Sequence, residues 1–228
     1  MRIKTFIVIV LTFTLLYSCK KIQHKDRIKE GYIEYDIEYL DKSLDSFMKG
    51  LLPKKMTIKF KNNNTLNKIE GFSGIVSFTH IQNFKEKKNI TLVKVLNKRY
   101  KYIEKINDKS LFFEDIPNMQ IELQDTIVEL CGFKSKKAII TIPDSDVEPF
   151  SIYYTNDILI NNVNAQTPFK SIEGVLLEFQ LKLYDMPMRL TARKVVETEV
   201  PTDDFEIPKG YHTINKKTMI EIIELLKQ

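Results

Sequence analysis

Alternation of apolar and polar residues recurs along most of this chain and predicts a protein built mainly of β-strands. The clearest case is residues 32–39. One face of that segment carries Ile33, Tyr35, Ile37 and Tyr39, and the other carries Tyr32, Glu34, Asp36 and Glu38. Such a pattern is typical of a strand with one face in the core and one face in water.

Similar segments of about 6 to 8 residues or longer follow, separated by turn residues. Asn62-Asn63-Asn64 predicts a hairpin turn between two of them, and Asp185-Met186-Pro187 predicts another. The predicted strands lie at 56–61, 65–70, 74–81, 90–96, 99–104, 119–123, 136–142, 149–155, 173–184 and 188–199. Sequential short strands of this kind indicate an antiparallel meander.

Two segments have helical rather than alternating spacing. Residues Ser43 to Leu52 place apolar side chains three and four apart, and Pro53 ends the segment. Residues Thr218 to Leu226 carry an apolar stripe, and Thr218 with Glu221 forms a predicted capping box at the start. A stripe of this kind indicates a helix packed on the core.

We therefore predict a mainly β (α+β) fold: a curved antiparallel half-barrel sheet of about ten strands, with one or two helices packed in or on the concave face. The apolar side of such a sheet must be covered, either by curling around inserted helices or by folding into two sheets. Only the half-barrel leaves an apolar interior groove. The predicted domains are a signal peptide at 1–18, a flexible basic tether at 19–30 and a single β-rich domain at 31–228.

The first 19 residues follow a different pattern. A short basic start precedes an apolar run at residues 5–17, and Leu16-Tyr17-Ser18-Cys19 has the order of a lipobox. The run is shorter than the roughly 20 residues that a membrane-spanning helix needs, which argues against the alternative of an ordinary transmembrane anchor. We expect cleavage before Cys19 and attachment of lipid to its thiol, which anchors the mature protein to a membrane.

Composition is typical of a folded, soluble protein. The chain is 43% hydrophobic and 29% charged, and its formal net charge of +5 includes Arg2 and Lys4 of the signal peptide. The tether carries Lys20, Lys21, Lys25, Arg27 and Lys29, which is consistent with either a solvated linker or contact with anionic headgroups. No aromatic-basic motif for nucleic acid is present.

Few residues indicate catalytic or metal chemistry. With Cys19 lipidated, Cys131 has no disulfide partner, and its apolar neighbours predict a buried structural residue. His24, His80 and His212 lack a second ligand at metal-binding spacing, although His80 falls on the inward face of a predicted strand. Asp144, Asp146 and Glu148 are predicted to form a solvated turn. We expect no enzyme activity, no metal and no cofactor.

Four segments resemble a known group of proteins. In order they are Gly132-Phe133-Lys134-Ser135-Lys136-Lys137-Ala138, Ser151 to Ile158, Phe169 to Glu178, and Phe205-Glu206-Ile207-Pro208-Lys209-Gly210-Tyr211. Together they resemble uncharacterised lipoproteins of Bacteroidota with a LolA/LolB-like fold, and more distantly the GLPGLI group. The resemblance implies a half-barrel with an apolar concave face that cradles acyl chains in some relatives.

These observations predict a lipoprotein of the outer membrane that faces the periplasm and binds a lipid, an acyl chain or another envelope component. The lysines after Cys19, with no acidic pair following it, do not resemble the surface-export signal of Bacteroidota lipoproteins, which favours the inner leaflet. The predicted ligand-lining residues are Met56, Ile58, Phe60, Val76, Phe78, Val175, Leu177, Phe179, Met188 and Leu190. The alternative is a structural or interaction lipoprotein that has no ligand and docks a protein partner through its sheet.

Overall fold

A computed structural model describes residues 27–71, 74–108, 111, 116, 118–183 and 186–225. The predicted signal peptide, Cys19 and the tether up to residue 26 lie outside the described residues. The described elements are β1 (Glu30–Tyr39), α1 (Ser46–Leu51), β2 (Lys55–Lys61), β3 (Asn64–Gly71), β4 (Val76–Asn83), β5 (Lys88–Val95), β6 (Lys98–Lys105), β7 (Gln120–Leu130), β8 (Phe133–Thr141), β9 (Phe150–Thr155), β10 (Val175–Leu183), β11 (Met186–Glu197), a 3-10 helix (Thr202–Phe205), β12 (His212–Thr213) and α2 (Lys216–Leu225).

All twelve strands belong to one sheet in the order β12-β6-β5-β4-β3-β2-β1-β11-β10-β9-β8-β7. Neighbouring strands are antiparallel except β12, which runs parallel to β6. Strands β2 to β6 extend the sheet on one side of β1, and β7 to β11 form the other side. Strand β11 joins the two halves by pairing with β1. The sheet is not closed, and it confirms the predicted curved half-barrel.

Turn chemistry sets the register of two hairpins. Asn62 and Asn63 have φ values of 50° and 66° between β2 and β3, and asparagine tolerates this left-handed conformation better than most residues. Cys131 and Gly132 adopt 53° and 82° between β7 and β8. Two consecutive positive φ angles match the right-handed twist of the flanking strands, so each hairpin has a tight two-residue turn.

Several predicted boundaries were wrong, each for a local reason. The strand predicted at 119–123 continues to Leu130. The prediction ended too early because a register shift between Gln124 and Ile127 interrupts the alternation of apolar and polar residues along this strand. The last helix starts at Lys216 rather than Thr218. Its cap is Asn215, whose Oδ1 accepts a hydrogen bond from the Thr218 amide at 2.9 Å, so the predicted capping box does not form there.

The predicted tether is also too long at its end. Ile28 is buried and forms an isolated parallel bridge with Ile158. Its amide donates to the Asp157 carbonyl at 2.9 Å, and its own carbonyl accepts from the Leu159 amide at 2.8 Å. The folded domain therefore includes residues before 31.

One side of the sheet, which we call the inner face, carries the main core. Phe60 and Leu177 on this face have no exposed area, and Tyr35 donates its buried hydroxyl to the Leu176 carbonyl at 2.7 Å. The segment between β9 and β10, residues 156–174, packs over this core. The ring of Phe169 contacts that of Phe179 edge-on, with 6.3 Å between the ring centroids. We call residues 156–174 the cover segment, because its apolar side chains shield the inner face from water.

The opposite, outer face is mostly polar but has one apolar patch. Ile81, Ile90 and Leu92 form it, and the segment after β11 packs across it with Val200 and Phe205. Ion pairs and hydrogen bonds join this segment to β2. Lys59 pairs with Asp204 at 2.8 Å, and Lys61 Nζ donates to the Val200 carbonyl at the same distance. This crossing carries the chain to β12 at the sheet edge.

We predict that Phe60→Ala lowers the free energy of unfolding by about 3 to 5 kcal/mol, because it removes a fully enclosed ring and leaves a cavity. The matched control is Phe47→Ala on α1, where the ring is 71% exposed, and its effect should stay within about 0.5 kcal/mol. Urea denaturation measures both. Equal losses in the two variants would contradict this description of the core.

Candidate ligand-binding site

The ten predicted ligand-lining residues lie on β2, β4, β10 and β11, and the sheet brings them to the inner face. Direct cross-strand pairs such as Ile58 with Ile33 and Phe179 with Leu190 link neighbouring strands across it. Seven of the ten are buried against the protein's own apolar groups: Met56, Phe60, Val175, Leu177, Phe179, Met188 and Leu190. The part of this face that solvent reaches is therefore narrower than the sequence predicts.

The remaining three, with Ile69, form a half-buried patch on β2, β3 and β4 that we call the apolar strip: Ile58, Ile69, Val76 and Phe78. Ile58 and Ile69 pack against the main core on one side. Phe78 packs on the other side against the cluster of Val93, Met219 and Ile223 that α2 forms with β5. The strip thus lies between two parts of the inner face that the chain itself closes.

Two rows of polar side chains continue the inner face beside the strip, and we call them the polar rows. The first row consists of Thr65, Gln82, Asn89 and Glu104, and the second of Asn67, His80, Thr91 and Tyr102, on β3, β4, β5 and β6 respectively. Successive members are directly opposed across neighbouring strands, so each row runs perpendicular to the strands. The cross-strand partner of Asn67 on β2 is Ile58, which joins the second row to the apolar strip.

Hydrogen bonds satisfy only part of the polar rows. Thr65 Oγ1 donates to Gln82 Oε1 at 3.1 Å, and Gln82 Nε2 is 3.4 Å from Oε1 of Gln166 in the cover segment. Within the described part of the chain, Asn67 Oδ1, Asn89 Oδ1 and Glu104 Oε1 are buried without a hydrogen-bond partner. Each buried orphan acceptor costs about 1 to 3 kcal/mol of folding free energy. Apolar residues at these positions would avoid that cost.

Burial shifts the pKa values of three titratable groups in the rows, lowering that of His80 and raising those of Glu104 and Tyr102. It lowers the pKa of His80 to about 4, and a side-chain hydrogen bond with Gln166 opposes this change. Burial also raises the pKa of the Glu104 carboxyl; Lys216 opposes this shift, Asp108 adds to it, and a hydrogen bond with Tyr102 opposes it. His80 is therefore neutral at pH 7. A neutral imidazole and a partly enclosed carboxyl are typical of functional sites as well as of structural networks.

Sequence analysis identified only His80 among the polar rows. The available signal was a run of polar residues at inward positions, since Asn89 and Thr91 alternate with Ile90 and Leu92 on β5. On β5 the apolar residues Ile90 and Leu92 face the outer patch. The sequence pattern therefore predicts that the polar residues between them face solvent. Only the register with β4 and β6 shows that they are enclosed.

Other predicted residues lie elsewhere. Cys131 sits half-buried in the β7–β8 turn rather than deep in the core, and its thiol donates to the Ala192 carbonyl at 3.2 Å. Asp144, Asp146 and Glu148 are exposed in the β8–β9 connection, as predicted. His212 is exposed on β12 at the sheet edge, and His24 lies outside the described residues.

The described residues were also compared with the requirements of a metal site and of a membrane-spanning helix. No group of three or more His, Cys, Asp or Glu side chains among them is placed to hold a metal ion. None of the helices in this part of the chain combines the length and the apolar character needed to cross a bilayer.

Comparisons with known proteins add little. A scan against protein-family models found no match, and a search of curated proteins found none. Among solved structures, "Structure of PNGF-II in P21 space group" is similar over 86% of this chain, with 11% sequence identity and a TM-score of 0.47. The chain spans 33% of the length of that solved structure. A similarity this distant supports no functional argument, and the resemblance to LolA/LolB-like lipoproteins stays a prediction.

We predict that His80 makes folding stability depend on pH. Because its pKa falls from 6.5 in the unfolded chain to about 4 in the folded protein, the unfolded chain binds more protons between these values. The contribution of His80 to the free energy of unfolding is fully present above pH 6.5 and is lost as the pH falls towards 4. Between pH 7 and pH 4.5, the free energy of unfolding measured by urea denaturation should fall less in His80→Gln than in the parent protein. The difference between the two decreases should be about 2 to 3 kcal/mol.

The control for this measurement is His212→Gln, which changes an exposed histidine. It should retain the pH dependence of the parent protein, including the contribution of the carboxyl groups that titrate in the same range. The same loss in His80→Gln as in the parent would contradict the enclosed position of this imidazole.

Proposed function

We propose that this protein is a lipid-anchored component of the bacterial outer membrane that faces the periplasm and binds an apolar or amphiphilic molecule on the inner face of its half-barrel. The anchor is lipid on Cys19, and the ligand is a lipid, an acyl chain or another envelope component. In this proposal the domain binds its ligand without catalysing a reaction.

The apolar strip is the observation that carries this proposal. Most of the inner face is closed by the chain's own side chains, whereas Ile58, Ile69, Val76 and Phe78 stay half-buried between the two closed parts. Apolar side chains gain about 25 cal/mol for each Å² removed from water. A bound alkyl chain along this strip would supply that gain. Continuous apolar surface flanked by polar groups is typical of ligand sites.

We expect an alkyl ligand to reach the strip and not the sheet edge. The chain has no tryptophan, so Phe78→Trp places a single indole reporter on the strip. In the lipidated protein, held in polymer-bounded lipid nanodiscs, octanol should change the fluorescence of this reporter saturably. Leu123→Trp on β7 is the matched control, since Leu123 is 63% exposed, and it should show only a gradual, linear response.

A response of the same form in both reporters would mean that octanol simply partitions into the membrane. That result, or no response from Phe78→Trp, would contradict ligand binding on the strip.

The anchor has its own test. Cys19→Ala should abolish incorporation of radiolabelled fatty acid and stop maturation of the precursor, and globomycin should also block processing of the parent protein. Cys131→Ala, which changes the second of the two cysteines, should be labelled and processed normally. Labelling of the Cys19→Ala chain would refute the lipobox assignment.

The alternative proposal is a structural or interaction lipoprotein that docks a protein through its sheet. One observation favours it: β7 is an edge strand of eleven residues, and two of its apolar side chains, Leu123 and Ile127, are 63% and 61% exposed. Edge strands with unpaired backbone groups can accept another strand. The octanol experiment separates the two proposals, because docking at β7 requires no alkyl site.

A further inference from the structure

Four exposed lysines cluster at the end of the sheet where β1 begins, which we call the β1 end. The register places them there, because Glu30 at the start of β1 pairs with Lys61 at the end of β2. The β2–β3 turn and the β4–β5 turn follow along the same end of the sheet. We call the four lysines of this turn and of the adjoining end of β6 the basic corner: Lys85, Lys87, Lys88 and Lys105.

The basic corner contributes little to folding stability and in part opposes it. Lys88 and Lys105 are directly opposed on β5 and β6, and like charges in this position repel each other. Lys87 has a φ of 55°, a left-handed conformation that glycine or asparagine adopts at lower cost. Within the described part of the chain, only Glu86 forms an ion pair with the corner, 3.2 Å from Lys88, and both side chains are about half exposed. Such a pair stabilises the fold only weakly, so the lysines are better explained by contact with an anionic partner.

Hydrogen bonds of the main chain hold the β4–β5 turn in one shape. The Phe84 amide donates to Asn64 Oδ1 at 2.9 Å, which ties the turn to the start of β3. The Lys87 carbonyl accepts from the Ile106 amide at 3.1 Å, which ties the turn to the residue after β6. Because the turn is already ordered, contact with a partner costs little backbone entropy.

The path of the chain indicates which anionic partner is within reach. With Cys19 lipidated as proposed, the bilayer lies near the β1 end, because the seven residues 20–26 span at most about 25 Å before the chain enters the fold at Ile28. The basic corner lies about 20 Å across the sheet from β1, or four strand spacings, at this same end. Anionic headgroups attract lysines that lie near the bilayer surface.

We propose that the basic corner binds the anionic headgroups of the leaflet that holds the lipid on Cys19. This inference rests on the proposed anchor and is independent of ligand binding on the inner face. The lipid alone would leave the domain free to rotate on its tether. Contact at two separate places, the tether and the corner, holds the β1 end against the bilayer and directs the β5–β6 turn away from it.

Nitroxide quenching tests which end of the sheet contacts the bilayer. Because the chain has no tryptophan, Phe84→Trp places one indole beside the basic corner, and Leu96→Trp places one in the β5–β6 turn at the opposite end. The lipidated protein is inserted into vesicles of equal parts phosphatidylglycerol and phosphatidylcholine, with a nitroxide on some of the choline headgroups. Since β5 separates the reporters by about 25 Å, quenching of Phe84→Trp should exceed that of Leu96→Trp at least about threefold.

Loss of three lysines should release the corner from the bilayer. Each lysine near an anionic surface strengthens the contact about fivefold, so a triple change should lower the ratio of docked to free domain about a hundredfold. Quenching of Phe84→Trp should then fall to the level of Leu96→Trp, as it should in vesicles of phosphatidylcholine alone. The three changes are Lys85→Gln, Lys87→Gln and Lys88→Gln. A matched control removes three exposed lysines at the opposite end and should leave the quenching unchanged: Lys54→Gln, Lys55→Gln and Lys98→Gln.

The outcomes separate this docking from the proposed function. Equal quenching of the two reporters would overturn the docking, as would quenching of Phe84→Trp that persists in the triple variant or without phosphatidylglycerol. None of these results affects the ligand, whose binding the octanol response of Phe78→Trp reports. Docking by a protein that gives no octanol response would contradict ligand binding and support the basic corner. A chain without lipid on Cys19 and without quenching would contradict the anchor and the docking together.

Discussion

The need to cover the inner face of an open sheet is the constraint on which the rest of this structure depends. A twelve-stranded sheet with one apolar side cannot stay in water unless something packs on that side. Here several described parts of the chain supply that cover: residues 156–174 pack over the half containing β1, β2 and β8 to β11, and α2 packs over β5 and β6. Leu111 and Met119, from the connection between β6 and β7, pack against these two clusters as well. The apolar strip borders both clusters and stays half-buried.

The cover segment is held by polar contacts as much as by apolar ones. Asn164 Nδ2 donates to the carbonyls of Ile172 and Gly174 at 2.9 and 2.8 Å, which closes the segment on itself. Gln166 Nε2 reaches across to the carbonyl of Ile106 at 2.9 Å, just beyond β6. The cover thus spans both halves of the sheet, and Gln166 also satisfies part of the polar rows. The polar side chains of this segment thus bond to the polar rows, while Asn89 Oδ1 and Glu104 Oε1 have no donor among the described residues.

Alternation made the strands predictable, because each strand needs one apolar face whatever its neighbours are. That is why β1, the long β10–β11 hairpin and the Asn62-Asn63 turn follow from the sequence. The cover segment has no period, so nothing in its sequence indicates that Phe169 and Ile172 belong to the core. The polar rows were missed for a related reason. The position of Asn89 and Glu104 in an enclosed row follows from the register of β5 with β4 and β6, which no local sequence pattern indicates.

The position of the polar rows relative to the proposed anchor follows from the chain path. The first row lies at the end of the sheet where β1 begins, since Thr65 and Gln82 pair close to the β2–β3 turn, and Asn161 of the cover segment bonds to Asn63 at that end. With Cys19 lipidated as proposed, the seven residues from Lys20 to Asp26 span at most about 25 Å before the chain enters the fold near Ile28. That length keeps the β1 end of the domain close to the bilayer. Under the proposed anchoring, the end of the inner face that carries the first polar row is therefore the end nearer the membrane.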